Sequence, residues 1–124
     1  MSVDCSSAYS KARRDTMVEL LERGASAYAD RPFLIVDGTP FTYAEISRRS
    51  NAMARELAAM GVQKGQCVVT LLDTSVDVFT CWFAINKLGA IWVPINTAYR
   101  GEFLRHQVAD TEARVVICDD HYLQ

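Results

Sequence analysis

The stretch Asn86-Lys87-Leu88-Gly89-Ala90-Ile91-Trp92-Val93-Pro94-Ile95-Asn96-Thr97-Ala98-Tyr99-Arg100 decides how the rest of the chain is read. Ahead of and into it, Val76 to Leu88 is apolar almost all round (Val78, Phe79, Cys81, Trp82, Phe83, Ile85, Leu88). That spacing predicts a helix with neighbours on more than one side. Gly89 can take the left-handed conformation that stops such a helix. Ile91 to Ile95 then reads as a short strand with Pro94 near its exit, and a polar loop follows. Helix, stop, strand and loop form the middle of a strand–helix–strand crossover.

Working outward, Cys67-Val68-Val69-Thr70-Leu71-Leu72 is apolar nearly throughout, as expected of a strand covered on both faces. Asp73, Thr74 and Ser75 are all candidate caps for the helix that begins at Val76. On the other side, Glu102 to Ala113 reads as a polar helix with Phe103, Leu104, Val108 and Thr111 inward, and Val115 to Cys118 as a third apolar strand. Strand, helix, strand, helix, strand with short links predicts an α/β fold, a parallel-sheet βαβαβ unit with right-handed crossovers.

The first half of the chain carries a helix and a β-hairpin. Met1 to Asp15 has no periodicity, and residues 1–15 are expected to form a flexible N-terminal arm. Thr16 and Glu19 have the spacing of a capping box, in which each side chain reaches a backbone amide at the other residue. Met17, Leu20, Leu21, Ala25 and Tyr28 fall on one face. Gly24 lies on that face too, at a cost of about 1 kcal/mol in helix propensity. Either the helix ends there or something packs closely against it. Phe33 to Val36 is a strand run, Asp37-Gly38 a hairpin turn signal and Thr39 to Phe41 the return, with Pro40 confining it to an edge. Thr42 with Glu45 repeats the capping box, and Phe41 with Ile46 adds a hydrophobic staple. The following helix carries Tyr43, Ile46, Met53, Leu57 and Met60 on one stripe. Gly61 is its left-handed stop, and Val62 is placed to meet Leu57.

Composition excludes several classes. A net charge of −2 and a pI near 5.6 give no nucleic-acid footprint. Arg13-Arg14 and Arg48-Arg49 are the only basic pairs and suit solvated helix faces. Cys5, Cys67, Cys81 and Cys118 show no metal-ligand or redox spacing, and three of them sit inside apolar runs as small apolar residues, which implies a reducing, cytoplasmic compartment. The polar start has no secretory character, and the apolar stretch from Val78 to Ile95 is interrupted by Asn86, Lys87, Gly89 and Pro94, unlike a membrane span. The glycines do not form a phosphate-binding loop; the nearest pair, Gly61 and Gly65, precedes a strand. His106 sits in a polar helix and His121 in a frayed end. Asp73, Thr74 and Ser75, with Asn96, Thr97 and Tyr99, follow the carboxyl ends of strands, where sheets of this type bind ligands, although capping is the favoured role. Trp82 and Trp92 are expected in the core. These residues alone assign no catalytic, cofactor-binding or metal-binding position.

Three segments nevertheless resemble the AMP-forming acyl-CoA synthetases of the adenylate-forming ligase superfamily. Asp30-Arg31-Pro32-Phe33-Leu34 with its hairpin resembles the family's opening, and Phe41-Thr42-Tyr43-Ala44-Glu45-Ile46 its first recurrent motif. Leu88-Gly89-Ala90-Ile91-Trp92-Val93-Pro94-Ile95-Asn96 resembles its second. Asn96 and Arg100-Gly101-Glu102-Phe103-Leu104 look more like acyl-CoA or carnitine-type CoA ligases than peptide-synthetase domains. The resemblance implies that residues 16–124 are the N-terminal portion of a larger ligase domain, with fatty acid metabolism as the setting. The full-length family uses ATP, Mg and CoA to make an acyl-adenylate with release of pyrophosphate, and then a thioester. The phosphate loop, acyl pocket, ribose-binding Asp and catalytic Lys come later in that family, so this chain alone is expected to be inactive. Its expected partners are the remainder of its own enzyme or further copies joined through uncovered apolar surface. The alternative is a stand-alone, non-catalytic interaction module that reuses the fold.

Overall fold

A computed structural model describes residues 16–123; the N-terminal arm expected over residues 1–15 lies outside the described residues. In chain order the elements are α1 (Met17–Ala27), β1 (Pro32–Val36), β2 (Thr39–Thr42), α2 (Tyr43–Ala59), β3 (Cys67–Leu71), α3 (Val76–Lys87), β4 (Ile91–Pro94), α4 (Gly101–Thr111) and β5 (Val115–Cys118), followed by a single 3-10 turn, Asp120–Tyr122. The architecture is mixed α/β, with a parallel three-stranded sheet and a separate antiparallel hairpin.

Local chemistry sets the elements of the first half. Asp37 and Gly38 both have positive φ, 49° and 77°, as the tightest hairpin turn requires, and Ile35 pairs with Pro40 in the ribbon. Both capping boxes form. The Thr42 hydroxyl accepts from Glu45 N–H at 3.1 Å and the Glu45 carboxylate from Thr42 N–H at 2.9 Å; Thr16 and Glu19 match at 3.1 and 2.8 Å. Gly61 closes α2 with φ 93°, and Val62 N–H donates to Leu57 C=O at 3.1 Å. At Gly24 the helix does not end. A Cβ there would sit 2.3 Å from the Tyr43 ring, so glycine is what lets α1 approach α2.

The parallel sheet has the order β4-β3-β5. Val68 lies opposite Trp92 on one side and Val115 on the other. The two crossovers step in opposite directions across β3, so a common hand places α3 and α4 on opposite faces. Packing agrees. Val68 joins Leu57, Cys81, Ala84 and Ile85 beneath α2 and α3, while Val69 and Leu71 face Leu104 and Val108 of α4. A third cluster of Leu21, Ile46 and Phe83, with Phe33, Phe41 and Tyr43, ties the hairpin and α1 to α2 and α3. Where three helices meet, Lys87 Nζ reaches Glu22 of α1 at 2.8 Å and Asn51 of α2 at 2.7 Å. Pro94 costs no ladder bond. Ile91 N–H donates to Gln66 C=O and Ile95 N–H to Thr70 C=O, so the intervening even positions face the open edge.

Several expected placements need correction. Met17, Leu20 and Tyr28 are 40%, 39% and 48% exposed, because only Leu21 and Gly24 of α1 are pressed into the neighbouring helices. Met60 is exposed as the C-cap of α2, and the buried seam of that helix uses Ile46, Ser47, Ser50, Ala54 and Leu57. Helix α4 spans Gly101–Thr111 rather than Glu102 to Ala113, and Phe103 points outward while Leu104 faces the sheet. Neighbours in a helix point about 100° apart, and the narrow contact with the sheet takes only one of them. Trp82 and Trp92 are half-buried rather than fully enclosed. They stack on each other with centroids 5.0 Å apart, and the Trp92 indole N–H donates to Thr70 at 2.9 Å.

Candidate functional site

In open sheets of this type ligands bind outside the carboxyl ends of the strands. Three loops meet there: 72–75 after β3, 95–100 after β4, and 119–123 after β5. Ser75 is the cap of α3, its hydroxyl accepting from Asp77 N–H at 3.2 Å. Asp73 is therefore free to reach across to the segment after β5. Its Oδ1 accepts from the Tyr122 hydroxyl at 2.6 Å, its Oδ2 lies 3.1 Å from His121 Nε2, and its backbone N–H donates to Asp119 Oδ2 at 2.8 Å. Arg100, from the third loop, lies 4.9 Å above the Tyr122 ring centroid and donates to the carbonyls of Thr97 and Tyr99. Asn96 Oδ1 accepts from Ala98 N–H at 2.8 Å, which fixes the turn leaving β4, and Tyr99 meets Phe103 edge-on.

Sequence reasoning placed Asp73 as a cap and His121 in a frayed end; the structure puts them together in a clasp. The two are 48 positions apart and no local pattern links them. The ligand atoms of Asp73, Asp119 and His121 lie within 4.8 Å of one another, close enough to hold one cation. Both Asp73 oxygens and one of Asp119 already have partners, so a cation would have to displace them. A clasp that joins the loops after β3, β4 and β5 is the role these contacts perform. Asn96 and Ser75 follow the capping and turn roles favoured for them, and Thr97 contributes its carbonyl.

The remaining reactive groups lie elsewhere. His106 faces Asp110 one turn along α4, with both side chains exposed. Cys67, Cys81 and Cys118 are free thiols. Burial, with Asp77 and Asp119 adding to it, pushes the Cys81 thiol up to about 11, so it stays protonated and unreactive. At the opposite end of the sheet a cleft of about 560 Å³ lies between Thr16–Glu19 at the start of α1 and Asn86, Lys87, Gly89 and Ala90. Lys87 is the cation of that cleft and is committed to Glu22 and Asn51. Among the described residues no helix is long and apolar enough to cross a membrane.

The profile of the AMP-binding enzyme family matches residues 21–124. Surfactin synthase subunit 2 of Bacillus subtilis (strain 168) is 34% identical over 89 residues, which is 72% of this chain and 2% of that protein. Among solved structures, the anthranilate CoA ligase AuaEII in complex with anthranoyl-AMP is 33% identical with a TM-score of 0.81, covering 86% of this chain and 20% of that one. The Klebsiella oxytoca NpsA N-terminal subdomain, in complex with 3-hydroxyanthranilyl-AMSN, superposes with a TM-score of 0.77 at 26% identity, covering 84% of this chain and 27% of that one. The chain thus spans a small part of the length of the proteins it matches.

Proposed function

The chain belongs to the AMP-binding enzyme family, and on that premise we propose that residues 16–124 form the N-terminal portion of the AMP-binding domain of an ATP-dependent acyl-CoA ligase. In the reaction proposed for the whole enzyme, a carboxylate oxygen attacks the α-phosphorus of ATP and pyrophosphate leaves. The CoA thiol then attacks the acyl carbon of the adenylate and AMP leaves. This chain supplies scaffold. The observation that carries the reading is the match over residues 21–124 combined with the structural roles of the recurrent segments. Phe41–Ile46 is the cap and staple of α2, and Leu88–Asn96 is the stop of α3 and the strand β4.

Proteins of both kinds, an adenylation–PCP di-domain NRPS and a CoA ligase, are similar to this chain. Asn96 and the Arg100–Leu104 segment favour the CoA ligases. A reducing, cytoplasmic setting is part of the same proposal and accords with the free thiols of Cys67, Cys81 and Cys118. Pyrophosphate exchange tests the reading, run with a panel of fatty and aromatic acids on the full polypeptide that carries this sequence and on the 124-residue chain alone. The expected result is exchange, followed by CoA thioester formation, by the full polypeptide and none by the chain. Removing even one preorganised donor can cost about 10²–10³ in rate, and here the whole phosphate cradle is assigned elsewhere. Exchange by a clean 124-residue monomer would overturn the proposal. Transfer to a carrier protein instead of CoA would move the enzyme to the peptide-synthetase side.

A further inference from the structure

After β5 the last backbone bond to the sheet runs from Asp119 N–H to Leu71 C=O at 3.3 Å. Beyond it the 3-10 turn bonds only to itself, Tyr122 N–H to Asp119 C=O at 2.9 Å and Leu123 N–H to Asp120 C=O at 3.1 Å. Among the described residues, side chains alone therefore hold 120–123 down across the carboxyl end of β3. Asp73 supplies two of these contacts, and it is free to do so because Ser75 caps α3. It accepts from the Tyr122 hydroxyl at 2.6 Å and lies 3.1 Å from His121 Nε2. The two contacts are unequal. The His121 and Asp73 side chains are 59% and 54% exposed, and an ion pair in water is worth little. A short bond from a hydroxyl to a carboxylate belongs to the stronger kind. The Tyr122 ring packs on the buried cluster of Val69, Leu71 and Ile95, and Arg100 lies 4.9 Å above its centroid. No residue of the turn is fully buried, and Leu123 is 72% exposed. A segment with so little buried area opens more easily than the sheet beneath it.

We infer that residues 120–123 form a strap that opens as a local unit about Asp119, latched by the bond between Tyr122 and Asp73. Opening lifts the Tyr122 ring off Leu71 and Ile95, which are 5% and 7% exposed with the strap closed. Both lie at the carboxyl ends of their strands, where ligands of such sheets bind, so the strap controls access to that end. The inference concerns the local fold and stands whether or not the whole enzyme makes CoA thioesters.

Limited proteolysis of the full polypeptide carrying this sequence reads the opening. Chymotrypsin cuts after tyrosine and phenylalanine, and under native conditions cleavage after position 122 follows the population of the released strap. Tyr122→Phe keeps the ring and the cleavage site and removes only the hydroxyl. Asp73→Ala removes the acceptor and leaves position 122 as it is. Each variant should speed cleavage after position 122 by about three- to tenfold, the loss of one partly exposed hydrogen bond to a charged group. Asp73→Asn, which can still accept the bond without its charge, should fall between parent and Asp73→Ala. The thermal midpoint should stay at the parent value in all three. A parent-like cleavage rate in either Tyr122→Phe or Asp73→Ala would overturn the inference. So would faster cleavage that tracks a lowered midpoint, because the strap would then open only with the whole fold.

Discussion

Replacing Gly24 by Ala sets two effects of opposite sign against each other. Alanine gains up to about 1 kcal/mol of helix propensity over glycine in a helix interior, and Gly24 lies inside α1 without a positive φ, so the backbone accepts the change. The new methyl would lie 2.3 Å from both Cδ1 and Cε1 of Tyr43. That ring cannot swing away freely, because its centroid is 4.6 Å from Phe33 and 6.4 Å from Tyr28. Overpacking of this kind costs about 1–3 kcal/mol, so a net loss of about 1–2 kcal/mol is expected. With a urea slope of about 2 kcal/mol/M, the midpoint should fall by about 0.5–1 M. The same substitution in a Tyr43→Ala background meets no ring and should stabilise by up to about 1 kcal/mol. The double-mutant cycle should therefore give a coupling of about 2–3 kcal/mol. A Gly24→Ala variant that is more stable than the parent, or a coupling under about 0.5 kcal/mol, would refute the close approach of α1 to α2.

Leu57→Ala should cost about 2–5 kcal/mol in urea denaturation, since Leu57 is buried among Ala54, Val62, Val68 and Ile85 and its neighbours cannot close the void. Thr42→Ala removes one capping partner of α2 and should cost about 1 kcal/mol in the same assay. Cys81 should resist thiol reagents in the native chain while Cys67 and Cys118, both half-buried, react first, as mass spectrometry of timed labelling would read. Its thiol is raised from 9.0 to about 11 on folding, so the unfolded chain loses this proton first. The associated stability is intact below pH 9 and falls between about pH 9 and 11, and the slope that Cys81 contributes should vanish in Cys81→Ala.

Local signals carried furthest in reading the chain. Thr42 and Glu45 are three positions apart, and the box they form depends on nothing beyond one helical turn. The three strands and the helices between them stand out because their apolar runs are continuous and their stops are glycine or polar clusters. What depends on the partner was hidden. The helical period groups Met17, Leu20, Leu21 and Tyr28 on a face but does not say how much of it a neighbour covers. The seam of α2 uses Ser47 and Ser50, whose small side chains permit close packing and whose polarity disguises the role; Ser50 satisfies its hydroxyl on Ser47 C=O at 3.0 Å. The pairing of Asp73 with His121 and Tyr122 follows from β5 lying beside β3, and strand order is not written in any local pattern.

The stacked pair Trp82 and Trp92 gives this protein a built-in optical reporter. They are its only two tryptophans, one on α3 and one on β4, and a hydrogen bond pins the second to β3. Tryptophan emission, and the exciton coupling expected of two indoles at this distance, therefore report on the crossover β3–α3–β4. The hairpin and α1 contain no indole and register in far-ultraviolet circular dichroism alone. Coincident transitions by the two probes would mean that hairpin and sheet melt as one cooperative unit; separated transitions would show that the cluster around Phe83 is too weak a weld to hold them together.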